Sequence, residues 1–100
     1  MTNTSYKLTN MPNIGNTLAK KLNLVGIETP TQLIETGTEN AFIRLIQIDK
    51  NACYNMLYAI EGAIQGIRWH NLNTIRKLEL KNFFDSIQNS QKKLNHVKGQ

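Results

Sequence analysis

One hundred residues and 11.4 kDa make one domain's worth of chain, able to bury roughly 60–70% of its extended surface in a thin core. With 40% hydrophobic and 19% charged residues, and asparagines spread from Asn3 to Asn95, it is neither a charge-rich disordered chain nor a collagen-like or mucin-like one. No apolar run approaches the roughly 18–20 residues of a membrane span, so no membrane partner is expected. Lys+Arg 12 against Asp+Glu 7 gives +5, which tilts the balance toward a polyanionic partner. That charge is uneven. Residues 1–50 carry five basic and four acidic side chains, residues 51–100 seven and three, and Lys92, Lys93 and Lys98 crowd the end. The single cysteine, Cys53, has no internal disulfide partner, which suits a reducing compartment. MTNTSYKLTN has no apolar signal region, so a cytoplasmic location is the expectation.

In chain order, residues 1–7 form an N-terminal arm and the domain begins at Leu8. Met11-Pro12-Asn13-Ile14-Gly15 reads as a tight turn leading into a helix on which Leu18, Ala19, Leu22 and Val25 share one face. Gly26 ends that helix, with Ile27 packing back behind a left-handed cap. A second helix starts with Thr29 as N-cap, Pro30 at the first position and Gln32 completing a capping box. Leu33 and Ile34 are its apolar side, and Gly37 ends it. Thr38 is expected to cap the third helix, which buries Ala41, Phe42, Leu45, Ile46 and Ile48.

Asp49 or Asn51 is expected to cap the fourth helix. Cys53, Met56, Leu57, Ile60, Ala63, Ile64 and Ile67 recur at three and four, a stripe wide enough for the central core helix. Gly62 and Gly66 within it are expected to permit close helix contact. Asn71 or Asn73 caps the fifth helix, which runs to about residue 89 with Ile75, Leu78, Leu80, Phe83, Phe84 and Ile87 along it. Residues 90–100 are expected to form a basic, flexible tail. No stretch alternates at period two, so the fold expected over 8–89 is all-α with about five helices.

Leu8, then Pro12-Asn13-Ile14-Gly15, then Ala19 and Leu22, resembles a helix-hairpin-helix signature, usually Leu-Pro-Gly-Ile-Gly with an alanine four residues on. In that family the turn and the following helix N-terminus offer backbone N–H groups to a phosphate, which the unpaired amides and the helix dipole favour. Two positions depart from it. Met11 replaces leucine, and Asn13 replaces the first glycine, so that a side chain stands at the approach to the phosphate. Asparagine tolerates left-handed backbone, so the turn survives. Two readings stay open: a hairpin kept for packing, or a phosphate contact through Asn13, Gly15 and Asn16 with Lys20 and Lys21 one turn on.

A wider resemblance covers Leu8 to Ile87. Met11-Pro12-Asn13-Ile14-Gly15, Val25-Gly26-Ile27, Thr29-Pro30 and above all Glu61-Gly62-Ala63-Ile64-Gln65-Gly66-Ile67-Arg68-Trp69-His70 resemble the C-terminal domain of the TfoX (Sxy) family. That resemblance implies a helix-hairpin-helix-like (SAM-like) domain without enzyme activity, related to regulators of competence for DNA transformation. The separate N-terminal domain of the best-known members has no counterpart in these residues.

Arg68, Trp69 and His70, expected at the C-terminus of the fourth helix, are the most chemically loaded cluster, either as a cap or as a stacking and cation–π surface. The fifth helix offers Arg76, Lys77 and Lys81, followed by the basic tail, either as a solvated surface or as a supplementary phosphate-contacting patch. Lys77 and Lys81, one turn apart on one face, join Arg68, Trp69 and His70 as the secondary candidate surface. Glu61 needs a basic partner, Arg68 or another, if buried. Tyr54 and Tyr58, four apart, form a partly exposed rung. His70, His96 and Cys53 have no metal-ligand spacing, no paired carboxylates or nucleophile constellation stand out, and no cofactor is expected. The functional expectation is a non-enzymatic regulatory or adaptor domain. Its partner is either the DNA backbone, contacted by the hairpin, or a protein, with the hairpin purely structural.

Overall fold

Helix punctuation sets the element order. Gly26 is left-handed at φ 87°, and the Ile27 amide reaches back to the Leu22 carbonyl, closing the first helix as a Schellman turn. Thr29 accepts from the Gln32 amide while Gln32 reaches back to the Thr29 amide, and Pro30 occupies the first position, so the second helix starts as its sequence dictates. The computed structural model describes residues 7–98, with side chains described for 7–90. It contains a 3-10 turn at Leu8–Asn10, then α1 Asn16–Leu24, α2 Pro30–Thr36, α3 Thr38–Ile46, α4 Tyr54–Gln65, a second 3-10 turn at Trp69–Asn71, and α5 Thr74–Lys98. The domain is all-α, with no strand among the described residues.

α4 is the central element and touches α2, α3, α5 and the Trp69–Asn71 turn. It divides the core into two clusters. Ile60 and Ala63 join Leu22, Ile27, Leu33 and Leu45 on the hairpin side. Leu57 joins Phe42 and Leu80 on the α5 side, with Phe83, Phe84 and Ile87 packed against them. Met56, long and unbranched, packs against both. Each fully buried Leu, Ile or Phe here contributes about 1.5–3 kcal/mol.

Several local expectations are corrected. α4 starts at Cys53, half-exposed as its N-cap, and neither Asp49 nor Asn51 caps it. Asp49 instead accepts from the Asn51 amide and pairs with Lys21. α4 ends earlier than expected, because Gly66 is left-handed at φ 77° and the Ile67 amide bonds the Gly62 carbonyl. Arg68, Trp69 and His70 therefore lie beyond the helix in the 3-10 turn, not on its last turn. Ile34, Ile48, Ile75 and Leu78 are exposed, the last two at 68% and 59%. Leu80 points inward, and at about 3.6 residues per turn Ile75 and Leu78 fall on the far side of α5. Asn73 caps α5 by accepting the Ile75 amide, and the helix continues to Lys98 instead of stopping near residue 89. No glycine or proline interrupts it before Gly99. Most of the arm, residues 1–6, and the side chains of Lys92, Lys93, His96 and Lys98 lie outside the described residues.

α5 is held by a partly buried polar knot around Glu61 and Arg76. Arg76 donates to both oxygens of Glu39 at 3.0 and 3.1 Å, to Glu61 at 3.0 Å and to Glu79 at 3.1 Å. Glu61, on α4, also accepts from Thr38 at 2.6 Å and from Gln65 at 2.5 Å. Thr38 is thus not the cap of α3, a place taken by Gly37, but the buried donor that links α3 to α4. The partner of Glu61 is Arg76, not Arg68. Burial pushes the Glu61 carboxyl up, but the bonds from Arg76, Thr38 and Gln65 outweigh it and hold the group below the usual carboxylate range.

Replacing Arg76 by methionine leaves Glu61 buried without its cation, so unfolding should show a loss of roughly 2–3 kcal/mol. The wild-type advantage is fully present above the unfolded glutamate pKa of about 4.3 and is lost as pH falls through the lower folded value. Denaturation curves of wild type and Arg76→Met should therefore converge in acid.

Candidate functional site

The hairpin turn is clamped from inside by Asn13. Its backbone is left-handed at φ 69°, a conformation that asparagine accepts better than other side chains. Its amide nitrogen donates to the Ile67 carbonyl at 2.9 Å and the Ala59 carbonyl at 3.4 Å. Its carbonyl oxygen accepts the Trp69 amide at 3.1 Å. The side chain therefore faces α4 and the turn after it, not the approach that a phosphate would take. Gly62 makes room for it. A Cβ there would stand 2.5 Å from the Asn13 amide nitrogen and 2.8 Å from the Ile67 carbonyl. The close contact expected at Gly62 is real, but the partner is a loop side chain and the Ile67 and Trp69 backbone rather than another helix.

Gly15 is the N-cap of α1 and carries no side chain to bond the first-turn amides. Asn16 is exposed beside it. A cleft of about 460 Å³ opens there, lined by Gly15, Asn16, Lys21, Cys53, Asn55 and Met56, so the starts of α1 and α4 meet at one opening. α4 also starts without a side-chain cap. Lys21 is half-buried and bonded to Asp49 at 2.6 Å. That bond, with the Asn51 amide behind it, holds the Asp49 carboxyl below its ordinary range. Lys20 is exposed on the other side of Asn16. The structure thus groups Gly15, Asn16 and Lys21 at one opening with Lys20 next to it, and turns the Asn13 side chain away.

The secondary cluster is assembled by folding. Trp69 stacks on His70 with ring centres 4.0 Å apart and on Tyr58 at 6.1 Å, and Tyr58 meets Tyr54 at 5.5 Å. Lys77 lies over the Trp69 ring at 5.6 Å and donates to the His70 carbonyl at 3.4 Å. Lys81 lies over Tyr54 at 5.7 Å. Arg68 and His70 are exposed. Because Asn13 bonds the Trp69 amide, this ladder and the hairpin adjoin. The tyrosine rung was legible from its spacing, whereas its continuation through Trp69 needs the turn that Gly66 creates. Among the described residues no group of three or more His, Cys, Asp and Glu could hold a metal, and no helix is long and apolar enough to cross a membrane.

The profile of the TfoX C-terminal domain matches residues 4–84. Protein Sxy of Escherichia coli (strain K12) is 33% identical over 85 residues, which make up 85% of this chain and 41% of that protein. The chain thus spans well under half of that relative. Two crystal structures from Listeria monocytogenes are similar. One, an uncharacterized protein in a triclinic form, has 45% identity and a TM-score of 0.81 over 82% of this chain and 93% of its own. The other, a protein of unknown function in a tetragonal form, has 46% identity and a TM-score of 0.78 over 80% and 98%.

Two substitutions test the clamp. Asn13→Gly relieves the left-handed backbone but strands the Trp69 amide and the Ile67 carbonyl, so it should lower stability by about 1–2 kcal/mol. A neutral or stabilising result in thermal unfolding would show that the side chain is dispensable. Gly62→Ala should destabilise despite its better helix propensity, by roughly 1–3 kcal/mol, and less so in an Asn13→Ala background.

Proposed function

Because this chain belongs to the TfoX C-terminal domain family, we propose that it is a non-enzymatic regulatory domain that contacts the DNA backbone at the hairpin and the start of α1. Gly15 carries this reading. Its φ of −94° is open to any residue, and a Cβ placed on it would meet nothing within 4 Å. Neither a positive φ nor packing requires glycine there; glycine is an ordinary N-cap, and at this one it leaves the first-turn amides of α1 open to an anion. Exposed Asn16 and Lys20 flank the approach and supply polar and cationic contacts that are indifferent to base sequence. The link to competence for DNA transformation comes from the family, as does the expectation of a regulator rather than an enzyme.

A protein-binding role is the second reading. It is favoured by Ile75 and Leu78, two large apolar side chains exposed on the outer face of α5. In that case the hairpin is purely structural, held by Asn13, and Lys21 serves only Asp49.

Duplex binding titrated against salt separates the two. Lys20→Glu, at an exposed position, should weaken binding at low salt and reduce the salt slope by about one. Lys21→Glu is a poor probe, since it sets a carboxylate against Asp49 and disturbs the fold. Gly15→Ala should weaken duplex binding several-fold while shifting stability by only about 1 kcal/mol or less, as expected for a changed N-cap. Absence of binding to both duplex and single-stranded DNA at low salt would overturn the DNA reading in favour of the protein partner.

A further inference from the structure

We propose that the ring ladder Tyr58–Trp69–His70 is a base-stacking platform for single-stranded nucleic acid. The proposal rests on the nucleic-acid reading above and gives it a second contact of different chemistry. Geometry distinguishes these rings from the other aromatics. Phe84 meets Phe42 at 64° and Tyr54 at 74°, the edge-to-face packing common where side chains fill a core. Trp69 instead lies nearly parallel to its neighbours, at 23° to Tyr58 and 25° to His70. The stack ends on His70, which is an exposed residue. A further π-system continues such a stack without rearrangement, and a nucleobase is one.

Cations flank the rings. Lys77 sits over Trp69, Lys81 over Tyr54 at the far end, and Arg68 is exposed immediately before Trp69. Aromatic faces interleaved with lysine and arginine hold a single strand, the rings taking bases and the cations the backbone. The bases of a duplex are already stacked on one another, so this surface selects an unpaired strand. An acidic peptide would satisfy the lysines but make no use of the rings.

Trp69 is the only tryptophan, so its emission reports on the ladder directly. The full chain is titrated at low salt with an oligothymidine of about 12 nucleotides, an abasic strand of equal length and charge, and a duplex of the same length. Oligothymidine should quench Trp69 and bind at least about five-fold more tightly than the abasic strand. His70→Ala should remove most of that difference while leaving duplex affinity unchanged, and should lower the thermal midpoint by only a few degrees for the lost stacked pair. Equal affinity for the oligothymidine and abasic strands with unaltered emission would overturn the platform. The hairpin reading would still stand if Gly15→Ala continued to weaken the duplex. Quenching by oligothymidine with no duplex binding would instead reject the hairpin and keep the platform. Quenching by polyglutamate but not by oligothymidine would assign the surface to an acidic protein and overturn the proposal.

Discussion

One asparagine amide fixes the relation between the first turn of the domain and the end of its central helix. Asn13 spends both amide hydrogens and its carbonyl oxygen on the backbone of Ala59, Ile67 and Trp69. The Ile67 carbonyl and the Trp69 amide belong to the chain leaving α4, where helical bonding has run out, and the Ala59 carbonyl lies within the helix. The hairpin therefore ties down the chain that leaves α4 beyond its Gly66 cap. The cost is a non-glycine residue in left-handed backbone and a helical glycine at position 62. Both depart from local preference and both are explained by the same contact. The turn that presents Gly15 to solvent and the turn that presents Trp69 are thereby joined through one side chain.

The Arg76 knot does the corresponding work on the other side of α4. Hydrophobic contacts of Leu80, Phe83 and Phe84 supply attraction without direction. The guanidinium bonds to Glu39 and Glu61 set the rotation of α5 and its position along α3 and α4. With Arg76 turned inward, Lys77 and Lys81 are carried to the flank where Trp69 and Tyr54 lie. The distribution of charge then looks different from its sum. Lys21 and Arg76 are committed to ion pairs, while Lys20 and Arg68 face solvent and two lysines rest over aromatic rings. The surface is thus a set of discrete cationic points beside amides and rings, rather than a uniform basic field.

Signals that act within about five residues were legible in the sequence. The Thr29-Pro30-Gln32 box, the Gly26–Ile27 turn, the Tyr54–Tyr58 rung and the five-helix order all depend on contacts within one turn, where residue type and spacing are enough. Residues with two possible local roles were not resolved in this way. Thr38 resembles a cap but donates to Glu61, twenty-three positions away. Asp49 also resembles a cap but takes Lys21. Ile75 and Leu78 look like core, yet they lie opposite the buried face that Leu80 marks.

The sequence by itself determined the helical class, the starts and stops of α1 and α2, the central place of the Cys53–Ile67 stripe, and the resemblance that the family match bears out. It also supplied the residues of the candidate surface without their arrangement. Only the tertiary structure decided that the Asn13 side chain turns inward, that α1 starts at Gly15 without a side-chain cap and with nothing near the missing side chain, and that Tyr58, Trp69 and His70 stack. The reason is physical. Periodicity and capping are fixed by bonds along one helix, whereas each of these decisions depends on a partner brought close by packing, and more than fifty residues separate Asn13 from Trp69.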